Sequence, residues 1–246
     1  MKKNLFYICA MTIFLLFTNC AVNIGKELQP SKNQITKKYH VNPFAKIESE
    51  VFADIIFTQS EDCKVEAQGP ENYISHIVIS TKDNALTIRM DDPQIRFRNT
   101  NNKNKVQIFV TAPMPTEFTQ KGVGDIILKG DIRLKELSIN NNGVGDIQAD
   151  NPICEDLTIH SKGVGDTTLK GETNTASYFS KGVGDLKMQD MKAREVKATL
   201  VGVGDISCYA SQKITATSKG VGDINFYGNP KEKQLSKTGV GSIKER

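Results

Sequence analysis

Seven times between Gly122 and Ser242 the chain writes glycine, valine, glycine and then an aspartate, which becomes serine in the last copy. The first glycines are Gly122, Gly143, Gly163, Gly182, Gly202, Gly220 and Gly239, so the successive spacings are 21, 20, 19, 20, 18 and 19 residues. Four copies are preceded by a lysine, at Lys121, Lys162, Lys181 and Lys219. A fixed period near twenty marks a repeat architecture, in which each unit buries its apolar side chains against its neighbours.

With the first glycine of each repeat as position zero, position four holds Ile126, Ile147, Thr167, Leu186, Ile206, Ile224 and Ile243. Position six holds Leu128, Ala149, Leu169, Met188, Cys208, Phe226 and Glu245. Both columns are apolar except at Thr167 and in the last repeat, while position five is mostly polar. That alternation belongs to a strand with one face in a core. Before the corner, Leu137, Leu157, Ala176, Val196 and Ile214 form a second apolar column, with Ile139, Ile159, Tyr178, Ala198, Ala216 and Leu235 two residues further on. Two short strands per twenty residues, in phase over seven repeats, are accommodated most simply when each coil stacks on its own copy. The fold class is therefore all-β: a parallel β-helix, or β-solenoid, with about twenty residues per coil. The chirality rule for parallel connections makes it right-handed. An antiparallel barrel of hairpins ranks lower, because hairpins place turn signals every eight to twelve residues and the strong signal here comes once in twenty.

Upstream of the repeats, strands are predicted near Ala45–Val51, Asp54–Gln59, Lys64–Gln68, Ile74–Thr81, Ala85–Met90 and Lys105–Thr111. No segment sustains a helical period. Asp91–Asn104, rich in Asn and Arg, reads as an exposed loop and, with Arg89, Arg96 and Arg98, as the best non-periodic binding surface. The domain organisation is then residues 1–20 as leader, 21–40 as a flexible polar tether and 41–246 as one elongated domain, with GVGD repeats from 121 onward.

The glycine pairs are read as structural corners: Gly122 and Gly124, Gly143 and Gly145, Gly163 and Gly165, Gly182 and Gly184, Gly202 and Gly204, Gly220 and Gly222. Their parity matches the inward columns, so a corner without Cβ on its inside lets the chain bend tightly and lets coils stack directly. The valines between them form an outward ridge if alternation holds through the corner, and join the core if a turn resets it. The second is favoured, since a bare valine stripe invites aggregation unless a partner covers it. Asp125, Asp146, Asp166, Asp185, Asp205 and Asp223 stack into a column whose neighbours repel by roughly 1 kcal/mol in water. Backbone N–H groups at each corner, with the four lysines as counter-charges, are expected to offset this. Calcium is the alternative, but β-rolls that bind it use a nine-residue repeat twice per turn, and here the motif comes once per turn. The reading therefore assigns no metal and no cofactor.

Two lysines and an apolar run from Leu5 to Phe17 give the N-terminus the layout of a secretory signal. The run ends at Thr18, Asn19 and Cys20, which resembles a bacterial lipoprotein signal with Cys20 as the lipidated residue; cleavage without lipidation after Cys20 or Ala21 is the alternative. Beyond the leader remain Cys63, Cys154 and Cys208, an odd number with no CxxC and no Cys/His cluster. Cys208, in an inward column, is expected to be a buried free thiol. The formal charge of +4 includes Lys2 and Lys3, and the remaining 30 basic against 28 acidic side chains give no electrostatic case for nucleic acid or an anionic membrane surface.

The segments FAKI at Phe44–Ile47, ADIIFTQ at Ala53–Gln59 and KVEAQGPEN at Lys64–Asn72, followed by the glycine-x-glycine-aspartate-isoleucine series, resemble the auto-transporter adhesin head domain, or head GIN domain, of Gram-negative cell-envelope proteins. The family usually has serine between the glycines, where this chain has valine in all seven copies. The resemblance implies a β-helix-like fold, a cell-surface location and interaction with partners. Two functions follow. One is a non-enzymatic surface or periplasmic lipoprotein, adhesin-like, whose solenoid presents ladders of side chains to glycan or protein, with Thr158, Thr168, Thr199, Thr215 and Thr217 among the outward hydroxyls. The other is a polysaccharide lyase or hydrolase, which needs a local constellation of carboxylates; the only dense carboxylates here are periodic, so no catalytic residue is assigned. Contact with the membrane is expected only through the lipid anchor, no nucleic-acid partner is expected, and the oligomeric state is left open.

Overall fold

The computed structural model describes residues 26–98 and 104–246, so the leader and Cys20 lie outside the described residues. From Glu117 onward the chain climbs a staircase of parallel coils, about twenty residues per step. The N-terminal third supplies β1 (Glu27–Leu28), β2 (Gln34–Tyr39), β3 (Lys46–Glu50), β4 (Asp54–Gln59), β5 (Lys64–Pro70), the one-turn helix α1 (Glu71–Ile74), β6 (Ile77–Lys82), β7 (Ala85–Met90), β8 (Arg96–Phe97) and β9 (Gln107–Ala112). The staircase supplies β10 (Glu117–Gln120), β11 (Ile126–Arg133), β12 (Glu136–Asn141), β13 (Ile147–Ser161), β14 (Thr167–Ser180), β15 (Leu186–Leu200), β16 (Ile206–Ser218), β17 (Ile224–Tyr227), β18 (Glu232–Lys237) and β19 (Ile243–Glu245). Each long strand from β13 to β16 spans two sides of a coil, and its register shifts midway where it bends.

The inward columns are where their spacing puts them. Ile126, Ile147, Leu186, Ile206 and Ile224 are fully buried, as are Leu128, Leu169, Met188 and Cys208. Thr167, the polar exception, is buried as well. On the strand before the corner, Leu137, Leu157, Val196 and Ile214 are buried, and so are Ile139, Ile159, Tyr178, Ala198 and Ala216. Leu235 is exposed because it lies in the last coil, with nothing stacked above it. Charges finish that coil: Lys233 pairs with Glu245 at 2.7 Å and the Arg246 guanidinium donates to Asn225. A charged rim discourages strand addition at an open edge.

Below the staircase, β3 and β4 form a coil earlier in sequence than the one it supports. β10 and β11 lie on one side of it, and β7 and β9 lie on the other, all parallel. Beyond β7 and β9 the pairing turns antiparallel, through β6 on β7 and through β5 and β2 on β9. Hairpins thus close the N-terminal end of the core. This revises the expected tether: β2 pairs with β5 over six residues, and Ile35 and Tyr39 pack on the core while Lys37 and Lys38 stay exposed. The strand predicted over Ile74–Thr81 starts instead at Ile77, since the segment after Pro70 closes a helical turn that buries Tyr73 and Ile74. The segment read as a loop over Asp91–Asn104 is partly structured too, for Ile95 is buried and Arg96–Phe97 pairs with Glu27–Leu28.

The corner glycines answer to the coil beneath rather than to the core. A Cβ at Gly163 would overlap the carbonyl oxygen of Gly143, and the same collision recurs at each later repeat. The missing side chain points along the stacking axis, so a coil can lie on its predecessor only where this atom is absent. Gly163→Ala is therefore expected to cost at least about 3 kcal/mol, read as a fall in the denaturation midpoint. Gly130→Ala, with open space around the added methyl but φ of +77°, should cost about 1–2 kcal/mol.

Candidate functional site

Every corner presents the same three lanes. Moving along the chain, an exposed residue comes first (Lys121, Asn142, Lys162, Lys181, Val201, Lys219 and Thr238), then a valine, then an aspartate. The valines are bridged to one another in parallel from Val123 to Val240, and the ladder continues down to Phe52. They are outward, between 42% and 69% exposed, which overturns the expectation that they join the core. Alternation does hold through the corner: with both glycine Cβ vectors along the stacking axis, the residue between them has only the outside to face.

The aspartates form a continuous ladder of their own. Oδ1 of each accepts the backbone N–H of its counterpart one coil on: Asp125 from Asp146 at 2.9 Å, Asp146 from Asp166 at 2.8 Å, Asp166 from Asp185 at 2.9 Å, Asp185 from Asp205 at 2.9 Å and Asp205 from Asp223 at 2.7 Å. The ladder begins one coil earlier than the repeats suggest, since Asp125 N–H donates to Asp54 at 3.1 Å. It ends at Ser242, whose N–H and hydroxyl both donate to Asp223. The last coil has no successor to hold, and there the aspartate is replaced.

The expected counter-charges are elsewhere. Lys121 pairs with Glu48 and Glu50, and among the described residues Lys162, Lys181 and Lys219 form no ion pair with the aspartates, because the valine lane separates the two columns. The cation that does meet the acidic lane is Lys187, on the outward face of the following strand, which bonds Asp166 and lies 4.0 Å from Asp185. The N–H of Asp185 and then the Lys187 ammonium hold the Asp166 carboxyl below its usual range.

A second repeated surface lies on the strand before each corner. Ser138, Thr158, Ser177, Lys197 and Thr215 stand in register as one outward column. Beside them runs a column containing His160, Phe179, Thr199 and Thr217, in which the His160 and Phe179 rings meet edge-on at 5.9 Å. A shallow groove of about 420 Å³ crosses this face between Asp156, Thr158, Ser177, Glu195, Lys197 and Thr215. Thr168 lies on a different side, after the corner.

At the foot of the valine ladder a cavity of about 290 Å³ is lined by Phe52, Asp54, Tyr73, Phe97, Lys105 and Val123. The Tyr73 and Phe97 rings stack at 4.1 Å, and Lys105 pairs with the buried Asp54 at 3.3 Å. The three arginines singled out in the sequence do not converge on it. Arg96 covers the Phe52 ring, Arg98 reaches Glu27, and Arg89 donates to the Met90 carbonyl. Cys154 and Cys208 are buried free thiols and Cys63 is a half-buried one; burial pushes the Cys208 thiol up to about 12.

The depressed Asp166 value sets a direction for acid stability. A carboxyl with a lowered folded value contributes stability above its unfolded value and loses it as pH falls through the folded one. Asp166→Asn keeps an acceptor for the Asp185 N–H but removes the charge. It should flatten the loss of stability below about pH 4 while changing neutral stability by less than about 1 kcal/mol, since the carboxyl is partly solvated. Asp166→Ala also strands that N–H and should cost about 1–2 kcal/mol near neutrality, measured by denaturant titration.

No curated protein is similar enough to the chain to count as a match. Solved structures are. A protein described as a putative adhesin from Bacteroides fragilis shares 37% identity, with a TM-score of 0.85 over 89% of this chain and 100% of its own. Two structures from Parabacteroides distasonis share the fold at lower identity. One, described as a putative lipid binding protein, has 21% identity and a TM-score of 0.66; the other, described as a putative adhesin, has 16% and 0.67. Each covers 90% of this chain and 100% of its own. Residues 43–230 match the family described as "putative auto-transporter adhesin, head GIN domain", and with the corner ladder and stacked coils in place, the chain belongs to that family.

Proposed function

We propose that this chain is a non-enzymatic, adhesin-like module of the cell envelope, exported and held by a lipid on Cys20, whose solenoid presents polar ladders to an extended glycan or an envelope protein. The observation that carries this reading is the in-register outward column of Ser138, Thr158, Ser177, Lys197 and Thr215, crossed by a shallow groove. Stacked parallel strands repeat each side chain about every 4.8 Å. Such a lattice suits a partner with a repeating structure, where many weak hydrogen bonds add along its length. The half-exposed Phe179 ring beside the hydroxyls offers one apolar face for a sugar or a side chain. The repeated carboxylates serve the fold instead, because each spends Oδ1 on the backbone of the next coil.

The test is to incubate the protein with a panel of acidic and neutral polysaccharides, with and without calcium, recording retention and new chain ends together. Retention without cleavage is expected, with at least a fivefold loss in the Thr158→Ala, Ser177→Ala, Thr215→Ala triple variant. New reducing or unsaturated ends would instead make it a polysaccharide-cleaving enzyme, and neither signal would turn the search to protein partners.

A further inference from the structure

The valine ladder is the one repeated surface that a polar ligand leaves unexplained. Eight rungs, from Phe52 to Val240, follow one another coil by coil with an apolar side chain on each. At about 4.8 Å per coil the ladder is ~34 Å long, and the lysine and aspartate lanes stand two residues, or ~6.6 Å, to either side. Among the described residues Lys162, Lys181 and Lys219 make no ion pair, and Asp125, Asp146 and Asp205 accept backbone N–H groups but meet no cation within ion-pair distance. The surface is thus an apolar strip with the unpaired lysines Lys162, Lys181 and Lys219 along one edge and, along the other, an aspartate lane from Asp125 to Asp223 that a single lysine, Lys187, meets among the described residues.

Two such strips can face each other in two symmetric ways. A two-fold axis perpendicular to the solenoid, in the plane of contact, reverses the coil order but keeps each edge on its own side; lysine then meets lysine and aspartate meets aspartate. A two-fold axis parallel to the solenoid keeps the coil order and exchanges the edges. Lysine lanes then meet aspartate lanes, and every valine meets its own copy at the same height. Facing sheets pack ~10 Å apart, within the combined reach of a lysine and an aspartate.

We propose that the valine ladder is a self-association surface, covered by a second copy of this chain in the parallel two-fold arrangement. Lys162, Lys181 and Lys219 of each copy then face Asp166, Asp185 and Asp223 of the other, so that six lysines meet six aspartates around a valine zipper; within one copy Asp166 and Asp185 share the single cation Lys187, and Asp223 accepts from Ser242. This contact is separate from the polar face proposed to bind glycan or protein, so either can hold without the other. Its size sets its strength. A strip ~13 Å wide and ~34 Å long projects roughly 450 Å² per copy, well below the ~800 Å² of a standard interface. The dimer is therefore weak in dilute solution and salt-sensitive. Because both N-termini lie at the same end, two copies tethered to one membrane surface would meet in the required orientation.

The full chain would be expressed with its own leader, carrying Val144→Cys, and envelope fractions would be oxidised and resolved without reductant. Lys129→Cys, exposed but away from the strip, sets the collisional background, and the unsubstituted chain sets the contribution of its native cysteines. A Val144→Cys dimer at least fivefold above both is expected. It should fall by a similar factor at 1 M salt or when Lys162→Glu and Lys181→Glu are added. These lysines are chosen because the fold gives them no internal ion pair. A folded control by circular dichroism accompanies each variant. Linkage of Val144→Cys to a co-expressed, differently tagged Val221→Cys chain, in place of self-linkage, would show the antiparallel arrangement and overturn the proposal. So would linkage no greater than background, which would leave the strip to some other partner, or self-linkage indifferent to salt and lysine reversal.

Discussion

The rest of the structure depends on the close approach between the backbones of successive corners. The carbonyl oxygen of Gly143 occupies the place where a Cβ of Gly163 would be, and each later corner repeats the arrangement on its predecessor. Hydrogen bonds run both ways through the valine between the glycines: Val144 N–H donates to the Gly122 carbonyl and the Gly124 N–H donates to the Val144 carbonyl. Once corners are stacked this tightly, the strands on both sides inherit the same register. The inward columns then become continuous, and side chains of the same chemistry fall in line on the outside. The glycine pair thus sets the interior and the exterior together.

Two boundary cases support this account. The coil formed by β3 and β4 has a corner of its own, Val51-Phe52-Ala53-Asp54, aligned with the first glycine corner above it. Here side chains replace both glycines. The coil beneath does not repeat the corner, because the chain between β7 and β9 leaves on an excursion that contains β8, so no carbonyl sits where a Cβ must go. Val51 and Ala53 are buried in the core. At the opposite end Ser242 replaces aspartate where no further backbone N–H needs an acceptor. Glycine is used where a coil lies beneath, and aspartate where a coil lies above.

This logic explains how much was legible from sequence. The period and the two inward column pairs gave the coil and its core, because burial of one strand face leaves a period-two trace that needs no tertiary information. The Val51–Asp54 corner keeps only the aspartate and the following isoleucine of the motif, so it passed as an ordinary strand boundary. Matching the A-D-I of Ala53–Ile55 to the G-D-I of the repeats would have found it. The expectation that the valines join the core rests on the aggregation hazard of a bare apolar stripe and sets aside strict alternation, which places them outward. The Cβ directions of both flanking glycines run along the stacking axis, and the valine between them faces out. The lysines were placed beside the aspartates by sequence proximity, yet four residues of extended chain carry them to opposite sides of the ridge, and Lys187 reaches the acidic lane from the next strand. The antiparallel cap was the least legible part. Its strands were mostly recognised, but nothing local specifies that β3 and β4 will lie between β7 and β9 on one side and later coils on the other.

The separation of the two charged lanes also bears on why such an apolar ridge is tolerable. A valine stripe bordered on both sides by the same charge would repel every copy of itself in every face-to-face orientation, and one with no charged border would accept any register. Opposite charges on the two borders do something narrower. They oppose the antiparallel approach, and they favour the parallel approach only when lysine-bearing coils align with aspartate-bearing ones. The aspartate lane is unbroken from Asp125 to Asp223 and ends at Ser242, so a slip by one coil carries Lys219 of one copy past the last aspartate of the other and costs that attraction. The same irregularity that makes the repeats look imperfect therefore helps define a single register. In a fold built from near-identical coils, departures from the repeat are what distinguish one height on the ladder from another.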